Sequence, residues 1–435
     1  MKKNIFLSLM LLAFAIHFMT AQESNAKIIE GAPSVYIDCD WCDLARTKRK
    51  VNFINYVRQR QDADIYVTFT MQSTGKGYNY NIYFEGQKKF KGINDTLSLS
   101  VGDSESESET ENKIIEKFKK GLLVYLAKSD LLDKIEYNVV LDDNEEEEKP
   151  SEVNDPWDNW VFSLSASGSF SGQSRTQRLS YRGSVSADRV TKDSKTGFYI
   201  SRNTSERKFF FRDSNFVIID SMTITTSRNS TYFSGRYIKA LTNHLSAGIF
   251  TRAFNNTYSN YDLGLNTSLG IEYNFYNFEQ SDRRSIILTY KAGTSYNDYV
   301  DTTIYNKLKE TLFSNSLELN IYQKQKWGSL NFGAKFFAYL HNIRINSLTF
   351  SGNVRWNVFK GFTFSLGGYL TFVNDQVSLP KKDAGVIDTV LGDRLLATDY
   401  NAYTYFGIRY TFGSKYANVV NPRFSPGGSR VIYFF

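Results

Sequence analysis

From Trp160 almost to the carboxy terminus, apolar and polar positions alternate in runs of about 10–14 residues, the period of a strand with two unlike faces. In 348–358, Leu348, Phe350, Gly352, Val354, Trp356 and Val358 interleave with Thr349, Ser351, Asn353, Arg355 and Asn357. In 362–372, Phe362, Phe364, Leu366, Leu370 and Phe372 interleave with Thr363, Ser365, Tyr369 and Thr371, and 330–340 and 402–412 repeat the theme. The pattern predicts twelve strands, at 160–172, 178–190, 196–209, 230–241, 245–256, 264–276, 284–297, 310–323, 329–340, 346–359, 362–375 and 402–413.

Alternation alone does not separate a soluble sandwich from a membrane barrel. The residue types do: one face is bulky and aromatic, the other carries Arg, Lys, Asn, Thr and Ser, which fits an apolar exterior around a polar lumen. An even strand number is expected of a single-chain bacterial barrel. The links after strands two, four, eight and ten are short, and that after strand eleven, Ser378 to Asn401, is the longest. Short periplasmic turns and longer outer loops then require strand one to start in the periplasm.

Ahead of the barrel the periodicity changes. Val35 to Ile37 predicts a strand and 44–60 a helix with Leu44, Val51, Ile54 and Val57 on one side. Ile65–Met71, Tyr80–Phe84 and Thr96–Val101 predict three more strands. The acidic, serine-rich stretch Asp103–Glu111 suits a helix amino terminus, followed by an apolar stripe at Ile115, Phe118, Leu122 and Leu126. Ile135–Leu141 closes the series as a strand. Two helices on one face of a small sheet can bury a core. Residues 142–156, from Asp142 to Pro156, cannot, and are expected to be a solvated spacer; cation binding by Glu145 to Glu148 is the alternative.

Composition supports this division. The 435 residues include 29 Tyr and 34 Phe but only 6 Pro, 3 His and 2 Cys, and mean hydropathy is −0.38. A barrel tolerates that polarity because every second side chain faces away from lipid. Lys2, Lys3 and the apolar run Ile5–Phe18, ending near Ala21-Gln22, read as a secretory signal peptide, with an anchor helix as the alternative. The net charge of +7 is spread without a basic stripe, so nucleic acid is not expected as a partner.

The fold expected is a β-barrel membrane protein of about 12 antiparallel strands preceded by a small α/β domain of order βαβββαβ. Its parts are a signal peptide (1–22), a periplasmic α/β domain (30–141), an acidic linker (142–157), a transmembrane β-barrel (158–413) and a periplasmic tail (414–435).

Val35-Tyr36-Ile37-Asp38-Cys39 with Cys42-Asp43, Asn52 to Arg58, Asp62-Ala63-Asp64, Asp155-Pro156-Trp157, Ile271 to Asn274 and Asn418 to Phe424 carry a resemblance over 33–424. The chain resembles an uncharacterised Bacteroidota outer-membrane β-barrel family with an amino-terminal periplasmic α/β domain. The resemblance implies a location in the cell outer membrane and no particular chemistry. The βαβββαβ order is similar, as topology, to the α/β domain of the Tol-system propeller protein, which supports a protein-docking role. Tyr405 to Phe412 resembles the closing strand read by barrel-assembly machinery, although the chain itself ends Tyr433-Phe434-Phe435. Asp95-Thr96-Leu97, Asp220-Ser221-Met222, Asp301-Thr302-Thr303 and Asp388-Thr389-Val390 resemble the O-glycosylation pattern of Bacteroidota.

Cys39 and Cys42, a Cys-x-x-Cys at a strand end before a helix, read as a structural disulfide or free thiols, with redox activity and metal binding as alternatives. His244 and Ser246, with Asn255 and Asn256 downstream, resemble the His-x-Ser-x-Gly and Asn arrangement of outer-membrane phospholipase A. A turn His and a strand Ser is the plainer reading. Glu318, Lys335, Arg355 and Arg409 fall on the expected lumen face, where they either set the field of a small pore or pair and plug it. His244 and His341 have no metal-pair spacing, and no phosphate loop or dinucleotide fingerprint is present, so no cofactor and no metal are expected. The expected partners are outer-membrane lipid, barrel-assembly machinery and a periplasmic protein. The function expected is non-enzymatic: a small-solute channel or binding barrel with a docking domain. The alternatives are a structural or envelope-assembly barrel with a plugged lumen and a lipid hydrolase using His244 and Ser246.

Overall fold

The computed structural model describes residues 28–74, 77–102, 105–132, 156–210, 223–382 and 395–420. The signal segment, the strand expected at 135–141, nearly all of the acidic linker, Asp220-Ser221-Met222, Asp388-Thr389-Val390 and residues 421–435 lie outside them.

The amino-terminal domain runs β1 (Ser34–Asp38), α1 (Leu44–Lys50), β2 (Asn55–Tyr56), β3 (Ile65–Thr74), β4 (Gly77–Gly86), β5 (Asn94–Gly102) and α2 (Glu107–Leu126). The sheet order is β2-β1-β3-β4-β5, with β1 parallel to β2 and β3 and the rest antiparallel. The helix expected over 44–60 is corrected to the seven residues of α1. Val51, Ile54 and Val57 of the expected stripe are buried, but they lie outside the helix, in the segment that leads into and just past β2, and Leu44 is half-buried. Asp43 caps α1 by accepting from the amides of Ala45 and Arg46.

Ser106 caps α2 in a reciprocal box with Glu109, inside the acidic stretch that marked its start. Ile115, Phe118, Leu122 and Leu126 are buried, as the stripe requires. Phe118 stacks on Phe84 with ring centroids 5.9 Å apart and tilts against Phe69 at 5.8 Å. Burying one such side chain contributes about 1.5–3 kcal/mol. Gly121 permits this approach, since a Cβ there would lie 2.2 Å from the Phe84 ring. Arg46 of α1 meets Glu111 of α2 at 2.5 Å, so the two helices share one face of the sheet. Every residue from Ile65 to Thr70 in β3 is buried, so the opposite face is covered too.

The second unit has twelve strands: β6 (Trp160–Gln173), β7 (Thr176–Val190), β8 (Ser194–Phe209), β9 (Ile224–Ala240), β10 (Leu245–Asn256), β11 (Tyr261–Asn274), β12 (Arg284–Tyr299), β13 (Lys309–Gln325), β14 (Gly328–Tyr339), β15 (Asn342–Phe359), β16 (Phe362–Val373) and β17 (Tyr400–Tyr410). Each pairs antiparallel with its sequence neighbours, the up-and-down order of a barrel. Among the described residues β6 and β17 each have one hydrogen-bonded neighbour. Curvature is shown by the interior: one cavity is lined from Ser186 of β7 round to Thr349 of β15.

The apolar face points out. Leu164, Leu269, Phe406 and Ile408 are 65–82% exposed, whereas the in-register neighbours on the inner face are largely Ser, Thr, Asn and charged residues. Strands of 11–18 residues meet or exceed the roughly 9–11 needed to cross a bilayer. No helix of the described residues is long and apolar enough to cross a membrane, which says nothing of strands.

Candidate functional site

The barrel interior is the candidate site, and the chain places a second structure at each of its ends. The central cavity measures about 920 Å³. Its charged lining consists of Arg236, Arg252, Lys291, Lys335, Asp188 and Asp375. Arg236 pairs with Asp188 at 3.2 Å, and Asp375 accepts from the Ser347 hydroxyl at 2.7 Å. Phe250, Phe254, Tyr261, Phe337 and Tyr339 add an aromatic wall on the same inner surface.

The end remote from the α/β domain is crossed by the segment that follows β16. Val377 is buried against Leu312 and Tyr339, inside the mouth. The Ser378 carbonyl accepts from Asn260 Nδ2 at 2.8 Å, next to the start of β11. Ile304 donates to the Leu379 carbonyl at 2.9 Å and Lys381 to that of Thr302 at 2.8 Å, both in the loop between β12 and β13. A single strap thus ties β16 to strands far from it in the sheet order.

The other end carries the α/β domain. On β3 the odd residues Val67 and Phe69 face the helices, and the even residue Thr70 faces the barrel. Asp282, in the turn between β11 and β12, is 6% exposed and accepts from Thr70 Oγ1 at 2.9 Å, Asn81 Nδ2 at 3.0 Å and the Tyr83 hydroxyl. Burial, and then the Asp282 carboxylate it donates to, pushes the Tyr83 hydroxyl well above its usual range. Around this contact the domain offers acids and the near end of the barrel offers bases. Glu85 meets Lys326 at 2.7 Å and Arg283 at 3.6 Å, Asp40 meets Arg355 at 2.6 Å, and Asp62 meets Lys360 at 2.7 Å. Gly361, in the tight turn between β15 and β16, has φ +78° and donates its amide to Gln59 Oε1 at 2.9 Å. A Cβ at that glycine would lie 2.2 Å from the Thr411 carbonyl oxygen. Beyond β17, Arg58 donates to the Lys415 carbonyl and Ala417 to that of Tyr56, so the chain after the barrel pairs with the β2 edge of the domain.

The residues singled out in the sequence are dispersed. Glu318 and Lys335 stand opposite one another in the β13–β14 ladder, and Lys335 lines the central cavity. Glu318 accepts from Asn320 Nδ2 at 2.8 Å. Arg355 and Arg409 line a separate cavity of about 320 Å³ with Thr363 and Ser365, and Arg355 is held by Asp40 of the domain. Cys39 and Cys42 are joined as a disulfide, with Cys39 one residue past β1 and Cys42 just before α1. His244 Nδ1 lies 2.8 Å from the Asn274 carbonyl, and its ring stacks on Tyr273. Ser246 is buried, and among the described residues no hydrogen bond joins it to His244. The base–nucleophile contact that hydrolysis requires is therefore not formed. No group of three metal-binding side chains occurs among the described residues.

Arg236, Arg252 and Lys291 escaped the sequence reading. The alternation that marked Lys335 runs through them, but Phe250 and Phe254 also turn inward and blur the polar face of β10. Asp282 gave no signal at all, being one acid in a turn.

No protein-family model matches the chain, and no curated protein matches it. Among solved structures it is similar to a NanC porin in a rhombohedral crystal form, at 7% identity over 58% of this chain and 100% of that one, with a TM-score of 0.27. It is also similar to TolB from Acinetobacter baumannii, at 8% identity over 81% of this chain and 93% of that one, with a TM-score of 0.19. At those scores neither likeness bears on the chemistry of this chain.

Proposed function

We propose that the protein is an outer-membrane barrel whose interior binds or passes a small solute, with the α/β domain held on its periplasmic rim. The observation that carries this reading is the inverted barrel: exposed Leu, Ile and Phe outside, and a polar cavity of about 920 Å³ within. That volume falls in the range of small-molecule sites. The parity of the turns supports the orientation, because the domain meets three turns, those between β11 and β12, β13 and β14, and β15 and β16, all at one end. On this reading the domain's first docking partner is its own barrel. A periplasmic protein would have to use the helical face or the edge of β5, which has no outer neighbour among the described residues.

The test is reconstitution of the full chain in planar bilayers together with solute-swelling of loaded liposomes. Unitary conductance or swelling supports passage. A barrel that neither conducts nor takes up any solute favours a second reading, a plugged structural barrel. That reading is supported by the strap at one mouth and the domain at the other.

A further inference from the structure

The charge lining the central cavity is lopsided. Four cations and two acids line the central cavity, and both acids are engaged, Asp188 by Arg236 and Asp375 by Ser347. Arg252, Lys291 and Lys335 have no ion-pair partner within 4.0 Å among the described residues. Glu318 stands opposite Lys335 on the ladder, and Glu318 and Glu272 both act on Lys291, but none of these closes to an ion pair within 4.0 Å. Walls of one sign, enclosed by protein, concentrate the opposite charge.

The same wall is shaped for a flat group. Lys291 Nζ sits 4.1 Å above the centre of the Phe250 ring. Phe254 meets Tyr261 edge-on at 4.9 Å, and Phe337 meets Tyr339 edge-on at 5.0 Å. Inward glycines face these rings: a Cβ at Gly264 would lie 2.4 Å from the Phe254 ring, and one at Gly270 would lie 2.9 Å from Phe250 and 3.1 Å from Lys291. The rings lie against the wall where those positions have no side chain, and they line the open cavity, with Lys291 over the Phe250 face.

We infer that the central cavity is a site for a small organic anion with a flat apolar face. Arg252, Lys291 and Lys335 hold its charged group, and Phe250 and Phe254 lie beside its face. The inference rests on the solute-binding reading above and names the class of solute.

The test uses the full chain in detergent, with calorimetric titration of benzoate, acetate and phenyltrimethylammonium, and reversal potentials in a salt gradient for any conducting channel. Benzoate is expected to bind, acetate more weakly, and phenyltrimethylammonium least, with any channel favouring anions. A charged hydrogen bond contributes about 1.5–3 kcal/mol, so Lys291→Gln with Lys335→Gln is expected to weaken benzoate by at least about tenfold. Arg284→Gln, outside the cavity lining, is expected to leave binding unchanged. Retained electrophoretic resistance to sodium dodecyl sulfate verifies that each variant is a folded barrel. Tighter binding of the cation, cation selectivity, or benzoate binding unmoved by the double substitution in a folded barrel overturns the anion site and leaves the solute-binding reading standing. Acetate binding as well as benzoate overturns the aromatic half of the assignment. A folded barrel that binds none of the probes and conducts nothing overturns the solute-binding reading itself.

Discussion

The two units of this chain use the same aromatic residues for opposite purposes. In the α/β domain Phe69, Phe84, Phe90, Phe118 and Tyr125 are at most 3% exposed and stack on one another around a dry core. In the barrel Phe162, Phe170, Phe313 and Phe406 are 60–76% exposed on the outer face, while the interior holds serine, asparagine and lysine. Burial is thus no measure of importance until the solvent on each side is known. One unit turns its rings inward, and the other turns most of them outward.

That contrast can be broken in a definite order. The largest effect is expected in the domain: Phe118→Ala removes a ring shared by α2, β3 and β4 and should cost about 3–5 kcal/mol. Hydrogen exchange would show α2 losing protection while the strands of the barrel keep theirs. Next comes Leu269→Arg on the outer face of β11, where the side chain is 65% exposed. If that face meets acyl chains, a mid-strand charge should cost about 2–4 kcal/mol in refolding from urea into lipid vesicles. An unchanged midpoint would mean the face meets water.

A third substitution acts between the two units. Asp282→Ala leaves Thr70, Asn81 and Tyr83 without their shared acceptor in a buried contact, at a cost of about 1–3 kcal/mol to docking. Faster exchange in β3 and in the turn before β12, with α2 unchanged, is the expected signature.

The smallest effect is a pH slope confined to the domain. Burial alone would raise the Asp64 carboxyl, but donation from the Ser34 hydroxyl and amide, with Lys88 nearby at 3.4 Å, leaves it below the ordinary range. A depressed folded value means the unfolded chain takes up the proton first. The contribution is therefore complete above the unfolded value of about 4 and fades as pH falls through the folded value. Denaturation midpoints of α2 followed between neutral and acidic pH should flatten with Asp64→Asn.

How much of this was legible in the sequence follows from the length of each signal. The twelve strands were legible because lipid-type alternation persists for ten residues or more. The strap was not, since its hold rests on single contacts such as Asn260 with Ser378. β2 was missed because two residues carry no period, and Val51, Ile54 and Val57 fit a helical stripe as well as they fit the extended segment that uses them. Lys335 and Arg355 were placed on the inner face by parity alone, yet parity could not show that Arg355 would be taken by Asp40 at the rim. The whole seam between domain and barrel was hidden for the same reason. It is assembled from isolated acids and bases that are neighbours only after folding.

The short pairing of Tyr56 with Ala417 and of Asn55 with Asn418 has an entropic side. It joins residues 363 positions apart, and closing so long a loop in a free chain costs roughly 5 kcal/mol in entropy. Two residues of strand cannot meet that alone. The zipper therefore leans on the other contacts of domain and barrel, which bring its two halves together from opposite ends of the chain.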